Sequence, residues 1–137
     1  MIEEKFRHLA AAPSDIREHF PVLREYSAKC ESVVELGVRE IVSTWALLAG
    51  HPQAMASVDV RRPSKIGEVY AACLEAGISF EFVQGDTLQI EPIPCDLLFI
   101  DTWHTYQQCL SELRRHGPHA KRFILLHDTT LYATRDE

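Results

Sequence analysis

Five short apolar runs constrain this chain more than any other feature of it. They are "SVVEL" (32–36), "AMASVDV" (54–60), "ISFEFV" (78–83), "CDLLFID" (95–101) and "RFILLHDTT" (122–130). Most are apolar almost without interruption, so they predict strands covered on both faces rather than a sheet with one wet side. Between them lie segments of helical character. "IVSTWALLAG" (41–50) ends on Gly50 as a predicted C-cap. "PSKIGEVYAACLEAG" (63–77) has a proline near its start, a glycine at its end and Ile66, Val69, Tyr70, Cys73 and Leu74 on one stripe. "TYQQCLSELRRHG" (105–117) is a third helix, while "GDTLQIEPIP" (85–94) is too rich in proline for a full one.

Strands alternating with helices predict a parallel sheet between helical layers. With right-handed crossovers this is an α/β fold: Rossmann-like and doubly wound, a mainly parallel five-stranded sheet with helices on both faces. N-terminal helices precede it. Pro13-Ser14-Asp15 predicts a break and a new helix start, and Pro21 interrupts or restarts that helix. The expected division is a helical segment over 1–31 and a cofactor-binding unit over 32–137, one domain overall for 137 residues.

The net charge of −6 disfavours nucleic acid and anionic membrane as partners. No apolar run reaches the roughly 18 residues of a membrane helix. The start, "MIEEKFRHLAAAP", carries no signal-peptide core, so a cytoplasmic protein is expected. Cys30, Cys73, Cys95 and Cys109 form no CxxC pair, which predicts free, mostly buried thiols.

Ligands of such sheets bind beyond the carboxyl ends of the strands. Acids gather there. The first strand delivers Glu35 and Gly37, the second Asp59, the third Gly85, Asp86 and Thr87. The fourth delivers Asp101 with Trp103 and His104 just beyond, and the fifth His127, Asp128 and Thr129. Asp59 follows Glu35 by twenty-four residues, a spacing at which an acid can accept hydrogen bonds from ribose hydroxyls. Gly37 admits a ligand close to the backbone. Asp101 and Asp128 would converge on a divalent cation, Mg2+ or another, with turn-capping as the bland reading of the same acids. His104 and His127 are candidate general bases, or structural hydrogen-bonders. Trp103 either stacks on a flat ligand or covers the core edge. NAD is disfavoured, because no G-x-G-x-x-G is present.

The segments "VVELG", "LLFIDTWHTY" and "ILLHDT", taken together, resemble the class I S-adenosylmethionine-dependent methyltransferases, and among them the small-molecule and sugar O-methyltransferases. The likeness runs from about Ser32 to Thr130. It implies that Glu35 and Gly37 match the acid and glycine of the loop that holds the methionine part. Asp59 would bind ribose, Asp86 would approach adenine, and Asp101 would lie near the sulfonium. In metal-dependent relatives an acid matching Asp101 binds the metal with one matching Asp128. His104 matches the histidine of a D-x-x-H signature. The implied cofactor is S-adenosylmethionine and the implied acceptor a small molecule.

Two departures stand out. Glu40 and Ile41 occupy positions where relatives carry glycine, and Arg39 beside them is positioned by sequence to bind the cofactor's carboxylate. Full members also continue beyond the fifth strand with two more strands. An exposed fifth strand needs cover, from the N-terminal helices, the tail or a second copy of the chain in a homodimer. Two other readings stand beside the methyltransferase: a non-catalytic module with a degraded cofactor loop, and a metal-dependent hydrolase built on Asp101, His104, His127 and Asp128.

Overall fold

The computed structural model describes residues 1–11, 19–102 and 105–127. Among these residues five strands form one sheet: β1 (Ser32–Leu36), β2 (Ala54–Asp59), β3 (Ser79–Gln84), β4 (Cys95–Ile100) and β5 (Ala120–Leu126). Their order is β3-β2-β1-β4-β5 and every neighbouring pair is parallel. This is the Rossmann-like doubly wound topology expected. The chain leaves β1 toward β2 and β3, then crosses back to β4 and β5. The topological switch therefore falls between β1 and β4.

Among the described residues five α-helices accompany the sheet. Two precede it: α1 (Ile2–Ala11) and α2 (Phe20–Ser27). Three follow strands: α3 (Ser43–Leu48), α4 (Ile66–Ala76) and α5 (Tyr106–His116). Pro21 sits in the first turn of α2, where a missing N–H costs nothing, so it starts the helix rather than breaking it. The break expected at Pro13-Ser14-Asp15 lies outside the described residues. Gly77 ends α4 in the left-handed region at φ 76°. Thr105 caps α5 by accepting from the Gln108 N–H at 3.2 Å.

Strand alternation sorts the core into two layers. Val33 faces one side, with α1 to α4, through Phe6, Phe20, Leu23, Trp45, Leu47, Leu48, Val69 and Cys73. Val34 and Leu36 face the other, against Leu113 of α5 and Ile90 and Ile93 of the β3–β4 connection. The proline-rich 85–94 segment thus replaces a helix as cover for part of that face. The central strands β1, β2 and β4 are almost wholly buried, whereas β3 and β5 are half exposed, as sheet edges must be.

The N-terminal helices belong to the same core. Phe6 stacks on Phe20 with ring centroids 5.7 Å apart, and the Lys5 ammonium lies over the Trp45 ring. Helix α2 and the turn after it also reach β5. Tyr26 meets Phe123 edge-on at 4.9 Å, and the Arg122 guanidinium donates to the Lys29 carbonyl. Cys30, Cys73 and Cys95 are buried free thiols and Cys109 is half-buried and free. Among the described residues no helix is long and apolar enough to cross a membrane.

Gly50 corrects one detail of the sequence reading. The C-cap of α3 is Ala49, and Gly50 instead lets α3 approach α2. A Cβ at Gly50 would stand 2.7 Å from the Ala28 amide nitrogen and 2.8 Å from the Arg24 carbonyl oxygen. Both neighbours are backbone and cannot turn aside. Gly50→Ala should therefore cost about 1–3 kcal/mol, the usual penalty of overpacking. Urea unfolding of the two proteins measures it, and an unchanged midpoint would refute the close approach of the two helices.

Candidate cofactor site

A cavity of about 640 Å³ opens beyond the carboxyl ends of the strands, at the topological switch. Its lining includes Gly37 and Arg39 after β1, Asp59 and Arg61 at the end of β2, Asp86 and Thr87 after β3, and Asp101 and Thr102 after β4. Gln108 of α5 completes one wall. Five of the six expected cofactor residues thus meet in one place.

Gly37 sets the floor. Its φ is 95°, and a Cβ there would lie 2.2 Å from the Asp101 carbonyl oxygen. Only glycine lets the ends of β1 and β4 come this close. The approach is held by Asp101 N–H donating to the Leu36 carbonyl at 2.8 Å, and by Gly37 N–H donating to Val58 at 2.9 Å.

Glu35 is the expected residue that does not line the cavity. It is fully buried below the loop, on the α3 side. The Ser43 hydroxyl donates to it at 2.5 Å, Thr44 at 2.7 Å and Ser57 at 2.8 Å. Its carboxyl group ties β1 to the start of α3 and to β2, and so fixes where the loop between β1 and α3 begins and ends. Burial pushes its pKa up to about 7; the three hydroxyls lower it and the nearby Asp101 adds to the rise.

The loop above it keeps a left-handed shape without extra glycines. Arg39 has φ 53° and Ile41 has φ 62°. For a β-branched residue this is strained, of order 1–3 kcal/mol. The Ile41 side chain is buried in the core, which offsets part of that cost. Asp59 holds the loop from the other side. One of its oxygens accepts from the Val38 and Arg39 N–H groups at 2.8 and 3.0 Å, the other from Val60 at 2.7 Å. Asp59 lies in the cavity wall as expected, yet its carboxylate is already engaged by backbone donors. A ribose would have to share or displace them.

The Arg39 guanidinium spans the cavity. It donates to the Thr102 carbonyl at 3.0 Å and lies 3.9 Å from a carboxylate oxygen of Asp101. Asp101 itself is 8% exposed, so its charge bears on the inner end of the cavity. Asp86 is exposed at the rim and caps its own turn by accepting from the Leu88 N–H at 2.8 Å.

His127 ends β5 and is buried, with its ring edge-on to His19 at 5.3 Å. It does not belong to the cavity lining. His104, Trp103 and Asp128 lie outside the described residues. Among the described residues no group of three His, Cys, Asp or Glu side chains is arranged to hold a metal ion.

Sequence reasoning missed Glu112. It is fully buried in α5 and binds Thr87, Thr102 and Gln108, all of which line the cavity. The available signal was a glutamate on the apolar-facing stripe of a helix, four residues before His116, but that pattern alone is common on solvated helices.

No protein-family profile matches this sequence, and no curated protein matches it. Solved structures do match. A Podospora anserina methyltransferase with bound SAH superposes with a TM-score of 0.63 at 16% identity, covering 92% of this chain and 61% of that one. A putative caffeoyl-CoA O-methyltransferase from Staphylococcus aureus gives 0.64 at 12% identity, with 99% and 70% covered. The O-methyltransferase TomG from Streptomyces achromogenes, in complex with SAM, gives 0.55 at 17%, with 82% and 60% covered. The fold of this chain is the fold of these methyltransferases. The chain spans about six- to seven-tenths of the length of these three structures.

The raised Glu35 pKa has a definite sign. A buried acid that holds its proton more tightly when folded stabilises the fold fully below its unfolded pKa, near 4.5, and loses that contribution as pH rises through about 7. The contribution is on the order of 3 kcal/mol. Glu35→Gln should abolish this fall, leaving stability flatter between pH 5 and pH 8. Urea titrations at both values check it; identical pH dependence in both proteins would contradict the buried titration.

Proposed function

We propose that this chain forms the cofactor-binding part of an S-adenosylmethionine-dependent methyltransferase acting on a small-molecule hydroxyl. One observation carries the reading: the cavity sits at the switch point and is lined by four carboxylates, Glu40, Asp59, Asp86 and Asp101, against two guanidinium groups, Arg39 and Arg61. An acid excess of this kind suits a ligand whose reactive centre is cationic. The volume also fits a nucleoside-sized ligand.

The residues present fit the group. Asp59 and the turn at Asp86 and Thr87 would hold the adenosine end. Arg39 would take the amino-acid carboxylate, turning away from Thr102 to do so. Asp101 would face the positive end of the ligand. Bound S-adenosylmethionine would supply a methyl group activated by its positive sulfur. The chain would then orient the acceptor, exclude water and receive the hydroxyl proton. His104, three residues beyond Asp101, is the candidate base; His127, the other expected histidine, lies outside the cavity lining. Asp128, the expected partner of Asp101 in holding a divalent cation, lies outside the described residues.

The degraded-loop reading has one observation behind it: Glu40 and Ile41 stand where relatives carry glycine, beside the carboxylate-binding end. Against it, the loop still adopts left-handed φ at Arg39 and Ile41, so the shape survives the loss of the glycines.

Calorimetric titration with S-adenosylhomocysteine tests the proposal. Binding is expected, and silence at millimolar ligand with folded protein would end it. Arg39→Ala should weaken S-adenosylhomocysteine by about 1.5–3 kcal/mol, the value of a charged hydrogen bond, and leave adenosine binding unchanged. Binding without methyl transfer across a broad hydroxyl-acceptor screen would favour the non-catalytic module.

A further inference from the structure

Helix α5 lends Gln108 to the cavity wall and holds other wall residues from behind. The Glu112 carboxyl group is fully buried, and both its oxygens accept hydrogen bonds. One accepts from the Thr102 hydroxyl at 2.5 Å. The other accepts from the Thr87 hydroxyl at 2.5 Å and from the Gln108 side-chain amide at 3.1 Å. One turn further along the same face, a His116 ring nitrogen lies 2.6 Å from the Thr87 carbonyl oxygen, which requires a donated N–H there. Arg115 donates to the Ile90 carbonyl at 2.7 and 2.9 Å and to the Gln89 carbonyl at 3.1 Å.

The three partners of Glu112 come from three different elements. Thr87 lies in the turn after β3, Thr102 follows β4, and Gln108 begins α5. All three line the cavity, whereas Glu112 does not. One buried side chain therefore sets the spacing of three wall residues that the sheet alone leaves apart. The β3–β4 connection contains no helix of its own to hold this turn, so its position depends on α5. A buried acid also costs free energy unless its donors are all in place, which makes the arrangement all-or-none.

We propose that Glu112 is a positioning residue for the adenosine side of the cavity, acting through Thr87, Thr102 and Gln108. The inference rests on the S-adenosyl reading for the identity of the ligand, but the positioning itself belongs to the unliganded protein. Glu112 would not touch the ligand. Losing it would let the turn after β3 move relative to Thr102, and the adenosine wall would loosen as a unit.

The experiment compares Glu112→Gln, Thr102→Val and Thr102→Ser with the parent chain. Calorimetry with S-adenosylhomocysteine and with adenosine reads affinity; hydrogen exchange without ligand reads the turn. Glu112→Gln should weaken both ligands by the same factor, about tenfold, and speed exchange at the amides of residues 88–90. Thr102→Val should do likewise, and Thr102→Ser, which keeps the hydroxyl, should restore affinity. This contrasts with Arg39→Ala, which should affect only the ligand that carries the amino-acid tail. Parental affinity for both ligands in folded Glu112→Gln overturns the proposal, as does loss of S-adenosylhomocysteine with adenosine retained. If Glu112→Gln fails to fold, the Thr102 pair decides: serine no better than valine refutes the role. If the parent chain binds neither ligand, the S-adenosyl reading falls, and unchanged exchange at 88–90 in the variants then overturns the positioning role by itself.

Discussion

The burial of Glu35 under three hydroxyl donors is the interaction on which the site depends. It costs solvation, and the cost shows as a carboxyl group that holds its proton to about pH 7. In return one side chain fixes three elements: β1 that carries it, the first turn of α3 through Ser43 and Thr44, and β2 through Ser57. With both ends of the loop pinned, the backbone between them has little freedom. Gly37 then meets the end of β4 at a distance no side chain allows, and Asp59 collects the N–H groups of Val38 and Arg39. The cavity floor is the outcome of these contacts.

Glycine is the ordinary way to make such a loop, and this chain uses it once. Arg39 and Ile41 adopt left-handed backbone because their surroundings over-determine it. Ile41 buries its side chain, and the Arg39 N–H is held by Asp59 while its guanidinium reaches Thr102 and Asp101. Strain at two residues is tolerated because each has a compensating contact. The departure from the glycine pattern therefore changes the chemistry of the loop, adding a cation and an acid at the mouth, more than it changes the shape.

The opposite wall has its own buried carboxyl group, Glu112, and the two acids play parallel parts. Each is fully buried, each is bound by three donors, and each holds together elements that approach from different parts of the chain. Glu35 organises the β1 side of the switch and Glu112 the β3 and β4 side. Between them the walls are set before any ligand arrives, the condition under which polar groups bind with least reorganisation.

Much of this was legible in the sequence, for a physical reason. A strand covered on both faces must be apolar throughout, so β1, β2 and β4 announced themselves, and the alternation with helices fixed a parallel sheet and its switch point. The acids at strand ends followed, and Gly37, Arg39, Asp59, Asp86 and Asp101 do converge on one cavity. What the sequence could not say is what each acid binds. Glu35 and Asp59 look alike as strand-end acids, yet one lies beneath the loop among hydroxyls and the other in the wall capping amides. Gly50 reads as a cap and serves as a helix contact. Glu112 was invisible because its three partners are 25, 10 and 4 residues away, and only the folded chain brings them together. The sequence by itself determined the layers and the end of the sheet where the site lies, because those depend on local pattern and burial. The tertiary structure alone decided which polar groups face the ligand and which hold the walls, because that depends on distances between residues far apart in the chain.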